Sequence, residues 1–258
     1  MTSHATIDSK LTGKLALITG CTGGIGKATA VSLAKLGCNI AVHYNSAEST
    51  AIALVTEITS YGVTAAAFQA DLSAYDGARK LHAEVVAAMG HPDVLFNNSG
   101  TTYTKIGTFG NIQDMSVEEF EATWRTNTGT HYLLTQLCLP HMEAQRWGRI
   151  IFCSSVAAGT GGVIGPHYAS SKSAMHGLTH WIATRYAKEG ITCNAVAPAL
   201  IIETSMFSNP PDDLKTKIPI GRFGLPEEIA SVVSMLAFNA YMTNKILVVD
   251  GGMTAGAF

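Results

Sequence analysis

Short apolar runs alternate along this chain with longer amphipathic stretches, and the alternation predicts its elements. The runs are LALIT (15–19), NIAVHY (39–44), TAAAFQA (64–70), VLFNN (94–98), RIIFCS (149–154), TCNAVA (192–197) and ILVVD (246–250). Each is apolar on both faces, the pattern of a parallel strand covered by helices above and below. Between them the periodicity predicts helices over 24–36, 48–61, 75–89, 117–145, 167–189 and 226–239. PEEIA at 226–230 opens the last of these, with proline in the first turn and acids against the helix dipole. Strands alternating with helices, joined by right-handed crossovers, imply an α/β fold: a doubly wound sheet of about seven parallel strands with helices on both faces.

Composition leaves this picture as one domain. With 258 residues, 47% hydrophobic and 14% charged, the chain can bury one large core. No linker, repeat or charge run divides it, so we expect a single domain over 1–258 with residues 1–12 as a tail. A net charge of −2 and a pI near 6.5 provide no basic stripe for nucleic acid or an anionic membrane. No apolar run approaches the roughly 18 residues of a spanning helix, and MTSHATIDSKLTGK has no apolar signal core. A soluble cytoplasmic protein is the expectation. Cys21, Cys38, Cys138, Cys153 and Cys193 are scattered without metal or redox spacing, so reduced, mostly buried thiols are expected; Cys21 stands out because it lies in a glycine-rich turn.

Ligands of doubly wound sheets bind beyond the carboxyl ends of the strands, so chemistry is sought in the residues just after each strand. The first strand runs into TGCTGGIG (19–26). There Gly20 permits a tight exit, Gly24 allows backbone to approach a pyrophosphate and Gly26 allows close helix-to-sheet packing. The amides from Thr22 to Ile25 would face the phosphates. At the end of the second strand an acid would bind the ribose hydroxyls of NAD, but the chain reads HYNSAES. Tyr44, Asn45 and Ser46 can donate to a 2′-phosphate, so NADP(H) is favoured over NAD(H). Residue 23 is glycine, leaving Lys27 and His43 as the candidate phosphate cations.

Tyr168 and Lys172 lie four apart, on one face of a predicted helix. Free tyrosine titrates near ~10 and lysine near ~10.4, and a nearby ammonium favours the phenolate. The expected effect is a tyrosine moved towards physiological pH, able to protonate a carbonyl oxygen that receives hydride.

TGCTGGIG, NNSG at 97–100, Asn127, Ser155 and YASSK together resemble the short-chain dehydrogenase/reductase family over residues 12–253, and so imply a Rossmann-type fold. Within it, GRFGLPEEIA and ILVVDGGM are most similar to 3-oxoacyl-acyl-carrier-protein reductases. The resemblance implies that Ser155, thirteen residues before Tyr168, holds the substrate oxygen. Ser154 is its rival; alternation after Phe152 and the match of SVAAG select Ser155. It implies that Lys172 lowers the tyrosine pKa and bonds the nicotinamide ribose, and that Asn127 kinks its helix and holds a water joining Lys172 to solvent. Asp71 and Leu72 would contact adenine, while Asn98, Ser99 and Gly100 would line the adenosine ribose, with Ser99 where the family usually has alanine. PALIIET (198–204) departs from the family's PGxIxT, with Ala199 for glycine and one extra residue. Pro198, Ile201 and Thr204 are assigned to the nicotinamide end, with the register of Ile201 and Ile202 open.

The implied reaction is NADPH-dependent reduction of a ketone, with a 3-oxoacyl thioester first and a specialised or broad-range ketone second. Residues 202–220 are expected to form the substrate lid and TTYTKIGTFGN (101–111) the opposite wall. An acyl carrier protein would favour a basic entrance, for which Lys105, Arg125 and Lys217 are too few to decide. A cofactor-binding sensor or scaffold without chemistry is the alternative of another class; such proteins lose the tyrosine or lysine, and this chain keeps both. His176 and His180 have helical metal-ligand spacing but no third ligand in sequence, so core or interface histidines are expected. His167 is expected to shape the pocket. By resemblance, the long helices at 117–145 and 167–189 would pair subunits into a homotetramer, compatible with apolar Trp181 and Leu178.

Overall fold

A computed structural model describes residues 10–204, 206–207 and 211–255. The expected tail over residues 1–9, and the expected lid at residues 205 and 208–210, lie outside the described residues. In chain order the strands are β1 (Leu15–Ile18), β2 (Asn39–Tyr44), β3 (Ala65–Gln69), β4 (Val94–Asn97), β5 (Gly148–Cys153), β6 (Ile191–Pro198) and β7 (Lys245–Val249). The helices are α1 (Gly24–Lys35), α2 (Glu48–Thr59), α3 (Tyr75–Met89), α4 (Val117–Trp124), α5 (Thr130–Gln145), α6 (Ala157–Thr160), α7 (Pro166–Tyr186) and α8 (Pro226–Phe238). The seven strands are parallel and ordered β3-β2-β1-β4-β5-β6-β7.

Side-chain alternation divides the core in two. Ala16, Ile18, Ile40, Val42 and Phe96 pack with Leu33, Leu54 and Val233 from α1, α2 and α8. Leu15, Leu17, Ala41, Leu95 and Phe152 face the other way, onto Leu81, Leu134 and Ile182 from α3, α5 and α7. Phe96 and Phe152 are fully buried on opposite faces, each contributing about 1.5–3 kcal/mol by removal from water. The two edge strands differ from the expected full burial: β3 and β7 are only partly covered, because each has a single strand neighbour.

Chain order reverses between β1 and β4, so their carboxyl ends open a crevice at the switch point. The predicted helix over 117–145 is continuous but contains a π-helical stretch, Arg125–Gly129, between α4 and α5. Thr130 donates its amide to Arg125 five residues back, and the Thr126 carbonyl accepts from the Thr130 hydroxyl at 2.9 Å. Such a bulge turns the residues it contains out of helical phase, and here it presents Asn127 to the strand ends.

Candidate active site

The cleft above the strand ends has a volume of about 1010 Å³ and is lined from Asn45 and Asp71 at one end, past Gly20 and Gly24, to Tyr168 and Thr204 at the other. Its floor is the glycine turn. Gly20 has φ +67, a left-handed exit from β1 that favours glycine. A Cβ on Gly26 would strike the Gly20 carbonyl and come within 2.9 Å of Asn98 Nδ2. Gly24 has a different constraint from the one expected: a Cβ there would strike the Glu203 carbonyl and lie 3.1 Å from Pro226 Cγ. Its missing side chain admits the 200–204 segment onto the turn. The Gly23 amide bonds the Gly20 carbonyl at 3.2 Å. The first amides of α1, with no preceding turn to bond, remain for an anion.

His43 is no phosphate cation. The Gly20 amide donates to its Nδ1 at 2.9 Å and its Nε2 lies 3.0 Å from the Ala70 carbonyl, so Nε2 carries the only ring proton. Burial lowers its pKa to about 4, leaving a neutral strut between the glycine turn and the end of β3. Lys27 pairs with Glu57 at 3.8 Å. Tyr44 turns its ring into the core, and Ser46 does not line the cleft, so of the three predicted β2-end donors only Asn45 reaches it. Asp71 accepts the Ser73 amide at 2.8 Å while lining the cleft beside Leu72.

Tyr168 and Lys172 are both buried on α7, whose first turn is set by Pro166 at the position where a missing N–H costs nothing. Lys172 Nζ donates to the Cys153 carbonyl at 2.7 Å and stands 5.7 Å from the Tyr168 ring centre. The expected lowering of the tyrosine pKa is not what the geometry produces. Burial pushes Tyr168 above its ordinary value, and the neighbouring Ser155 hydroxyl opposes this only in part. Burial also lowers Lys172. The ammonium is committed to a carbonyl rather than to the phenol, so Tyr168 is held as a protonated donor.

Ser155 follows β5, accepts the Ala157 amide at 3.2 Å and lines the cleft beside Tyr168. Ser154 is occupied behind it, at 3.2 Å from the Lys172 carbonyl and 2.7 Å from His176 Nε2. The Asn127 side chain is also engaged: it accepts the Thr101 amide at 2.8 Å, donates to the Thr101 carbonyl at 2.9 Å and reaches Ser171 Oγ at 3.1 Å. It therefore pins the loop after β4. Gly100 lies between, where a Cβ would sit 3.3 Å from both Asn127 Oδ1 and Lys172 Nζ.

The register of PALIIET is resolved by two non-glycine residues in the left-handed region, Leu200 (φ 52) and Glu203 (φ 58). Such backbone costs about 1–3 kcal/mol for each residue. Ile201 packs on Gly224 and lines the cleft. The Ile202 amide bonds the Gly224 carbonyl at 3.0 Å, and Thr204 bonds the Ile201 carbonyl at 2.9 Å. The two expected walls meet over the tyrosine. Met206 Sδ lies 3.9 Å from the Tyr168 hydroxyl, and Lys105 donates to the Met206 carbonyl at 3.3 Å. His167 holds the first wall by bonding the Thr102 and Thr104 carbonyls at 2.8 and 3.0 Å. Neither Met206 nor the struts at His43 and His167 carried a sequence signal beyond proximity to a motif.

The remaining candidates have structural partners. His180 bonds Asn244 at 2.6 Å, and with His176 ties α7 to β5 and the loop before β7. All five cysteines are free and buried. Cys21 turns its sulfur to the Ile18 carbonyl at 3.2 Å and burial keeps the thiol protonated, so it is not a reactive group in the turn. Among the described residues no helix is long and apolar enough to cross a membrane.

A glycine turn at the switch point, and a tyrosine, lysine and serine gathered at the end of β5, define a nucleotide-dependent oxidoreductase site. The family model for short chain dehydrogenase matches residues 14–215, and the chain belongs to that family. It is 37% identical to the 3-oxoacyl-acyl-carrier-protein reductase FabG of Aquifex aeolicus, over 96% of this chain and 100% of that one. The Staphylococcus aureus (strain Mu50) protein of the same name is 37% identical over 93% of this chain and 98% of that one. Among solved structures, a blue fluorescent protein from a metagenomic library in complex with NADPH superposes with TM-score 0.86 and 32% identity, covering 95% of this chain and 100% of that one. Acetoin dehydrogenase YohF of Salmonella typhimurium superposes with TM-score 0.84 and 33% identity, covering 93% and 95%.

Proposed function

We propose that the protein is an NADPH-dependent ketone reductase whose substrate is a 3-oxoacyl thioester. The observation that carries this reading is the hydrogen-bonded pair of Ser155 and Tyr168 hydroxyls at the cleft, with the Lys172 ammonium 5.7 Å from the Tyr168 ring centre and the glycine turn lining the same cleft. The cleft fits a dinucleotide: it is continuous past a turn that no side chain fills. The amides at the start of α1 would hold the pyrophosphate, Asp71 and Leu72 the adenine, Asn98, Ser99 and Gly100 a ribose, and Pro198, Ile201 and Thr204 the nicotinamide end. Asn45 would donate its side-chain amide to the 2′-phosphate of NADP(H). When bound, the reduced nicotinamide supplies hydride. Ser155 and Tyr168 orient the substrate carbonyl, and Tyr168 gives its proton to the oxygen as charge develops there. Lys172, held by the Cys153 carbonyl at 2.7 Å, stabilises the phenolate left behind, while Asn127 fixes the Thr101 loop.

A second reading, reduction of a smaller ketone by a specialised or broad-range carbonyl reductase, draws on the covering of Tyr168 by Met206 and on the similarity to acetoin dehydrogenase. The entrance cations are also engaged, Lys105 with Met206 and Arg125 with the Ser73 carbonyl. Exposed Tyr132, Trp181 and Phe120 on α5, α7 and α4 support subunit pairing into a tetramer through these helices. The free, buried cysteines accord with a cytoplasmic location.

Loss of nicotinamide absorbance with NADPH and an acetoacetyl thioester tests the reaction, and the same assay on small ketones separates the two substrates. Tyr168→Phe is expected to lower turnover by about 10²–10⁴-fold while NADPH still quenches or enhances fluorescence on binding. Unchanged turnover in the variant would refute the acid assignment.

A further inference from the structure

A second cavity, of about 450 Å³, lies at the end of the sheet opposite the cleft, where β5 begins and α8 ends. Arg149 near the start of β5 and Ser155 beyond its end are separated along the strand by about 20 Å. Nothing in the proposed reaction uses this cavity. Lys10, Trp147, Phe238, Asn239 and Tyr241 line it around Arg149.

Arg149 is the group that calls for an explanation. It is 3% exposed, yet it forms no ion pair among the described residues. The acid that its backbone meets is committed elsewhere. The Asp93 carbonyl accepts the Arg149 amide at 3.0 Å, but the Asp93 carboxylate takes Lys14 at 3.2 Å, Gln145 at 2.6 Å and the Leu15 amide at 2.9 Å. The guanidinium bonds backbone carbonyls instead, Nε donating to Ala237 at 3.0 Å and Nη1 to Gly148 at 2.8 Å and Gly190 at 3.2 Å. A guanidinium has five N–H groups, and these bonds use three. Nη2 makes no hydrogen bond but is not sealed from solvent, so it opens on the cavity. The carbonyl end of α8 balances part of the charge, and the Trp147 ring centre lies 4.2 Å from Cζ. Burial lowers the Arg149 pKa to about 10, with no acid to oppose it, and the group stays charged at physiological pH.

The walls set the class of counter-charge that fits. Trp147 and Phe238 are apolar surface that a hydrated inorganic ion would leave wet and a carbon chain would cover. The Tyr241 ring, 99% exposed, stands at the mouth. We propose that this cavity is a second binding site, for a small organic carboxylate with an apolar chain. The carboxylate bonds Arg149 Nη2, Lys10 supplies a second positive charge at the rim, and the chain lies against Phe238 and Tyr241. A cavity of this size is within the range of small-molecule sites. A ligand there sits apart from the cleft, so its binding is independent of what the cleft holds.

Octanoate is the probe, titrated calorimetrically into the purified protein with and without saturating NADPH; octan-1-ol controls for the charge and inorganic phosphate for the chain. Octanoate is expected to bind once per chain, equally well under both conditions and more tightly than phosphate. A hydrogen bond to a charged group corresponds to about a 10–100-fold change in Kd. Octan-1-ol should bind more weakly by that factor, and so should octanoate to Arg149→Met. Lys10→Glu puts an acid at the rim that repels the carboxylate, and should raise Kd about tenfold with turnover unchanged. No saturable octanoate binding at millimolar concentration would overturn the proposal, as would octan-1-ol or phosphate binding as tightly as octanoate. An affinity unchanged in both variants, or displacement of octanoate by NADPH or an acetoacetyl thioester, would place the binding outside this cavity and overturn it too. Should Arg149→Met fail to fold, Lys10→Glu and octan-1-ol decide by the same criterion.

Discussion

The strut at His43 makes the stability of this protein depend on pH in a direction that can be worked out. Its ring accepts the Gly20 amide through Nδ1 and meets the Ala70 carbonyl through Nε2, so it is neutral when folded and cannot take a second proton without losing the Gly20 bond. Its pKa falls from an ordinary 6.5 to about 4, chiefly through burial. Between those values the unfolded chain binds a proton that the folded chain does not, so folding is favoured as pH rises. The contribution is fully present above pH ~6.5 and is lost as pH falls towards ~4, at about 1.4 kcal/mol per pH unit. The interval is worth about 3 kcal/mol, a large part of a stability of order 5–15 kcal/mol. His131, lowered to about 3 by burial, adds to the slope with the same sign. Urea unfolding at fixed protein concentration, at pH values between 4 and 7 ~ half a unit apart, would measure it for the wild type and for His43→Gln. The glutamine amide can keep both contacts in part but does not titrate. The variant should be less stable at pH 7, by about 1–2 kcal/mol for weakened hydrogen bonds, and the two profiles should converge as pH falls. Parallel profiles would refute the reasoning, since the ring would then not be the group that resists protonation.

Three further outcomes follow from the cleft. Asn45→Asp places an acid where a 2′-phosphate would lie and should shift the NADPH:NADH preference towards NADH by about tenfold or more, the effect of ~1.4 kcal/mol; steady-state kinetics with each cofactor checks it. Gly24→Ala must displace the 203 carbonyl that rests on the turn, so stability should fall by about 1–3 kcal/mol with weakened NADPH binding, measured by thermal unfolding and fluorescence titration. Met206→Ala removes the thioether beside the tyrosine hydroxyl and should raise kcat/KM for bulky ketones relative to small ones, measured across a ketone series.

The seven strands and the major helices follow from periodicity, since burial on both faces of a sheet leaves continuous apolar runs. Only α6, a single turn after β5, carried no periodic signal. Ser155 was separable from Ser154 by alternation, and the structure separates them physically, with Ser154 spent on His176 and the Lys172 carbonyl. Tyr44 misled, because a polar ring tip at a strand end is equally consistent with cleft and core, and the pleat sends it to the core. His43 misled as a cation, because its charge state depends on partners brought from Gly20 and Ala70, and Lys27 has an exposed partner in Glu57 that the sequence does not place beside it. The extra residue in PALIIET could be counted but not placed, since Leu200 and Glu203 adopt left-handed backbone that their residue types disfavour.

What the chain by itself determined is the order of its elements, the glycine turn and the four-residue spacing of Tyr168 and Lys172, because periodicity, turn chemistry and helical pitch are local. The electrostatics of that pair were decided only by the tertiary structure. Free tyrosine beside an ammonium would lose its proton more readily, but packing α7 against β5 buries the phenol and directs the ammonium to the Cys153 carbonyl. Desolvation and hydrogen-bond geometry depend on neighbours distant in sequence, and they leave Tyr168 protonated, as the proposed proton donor has to be.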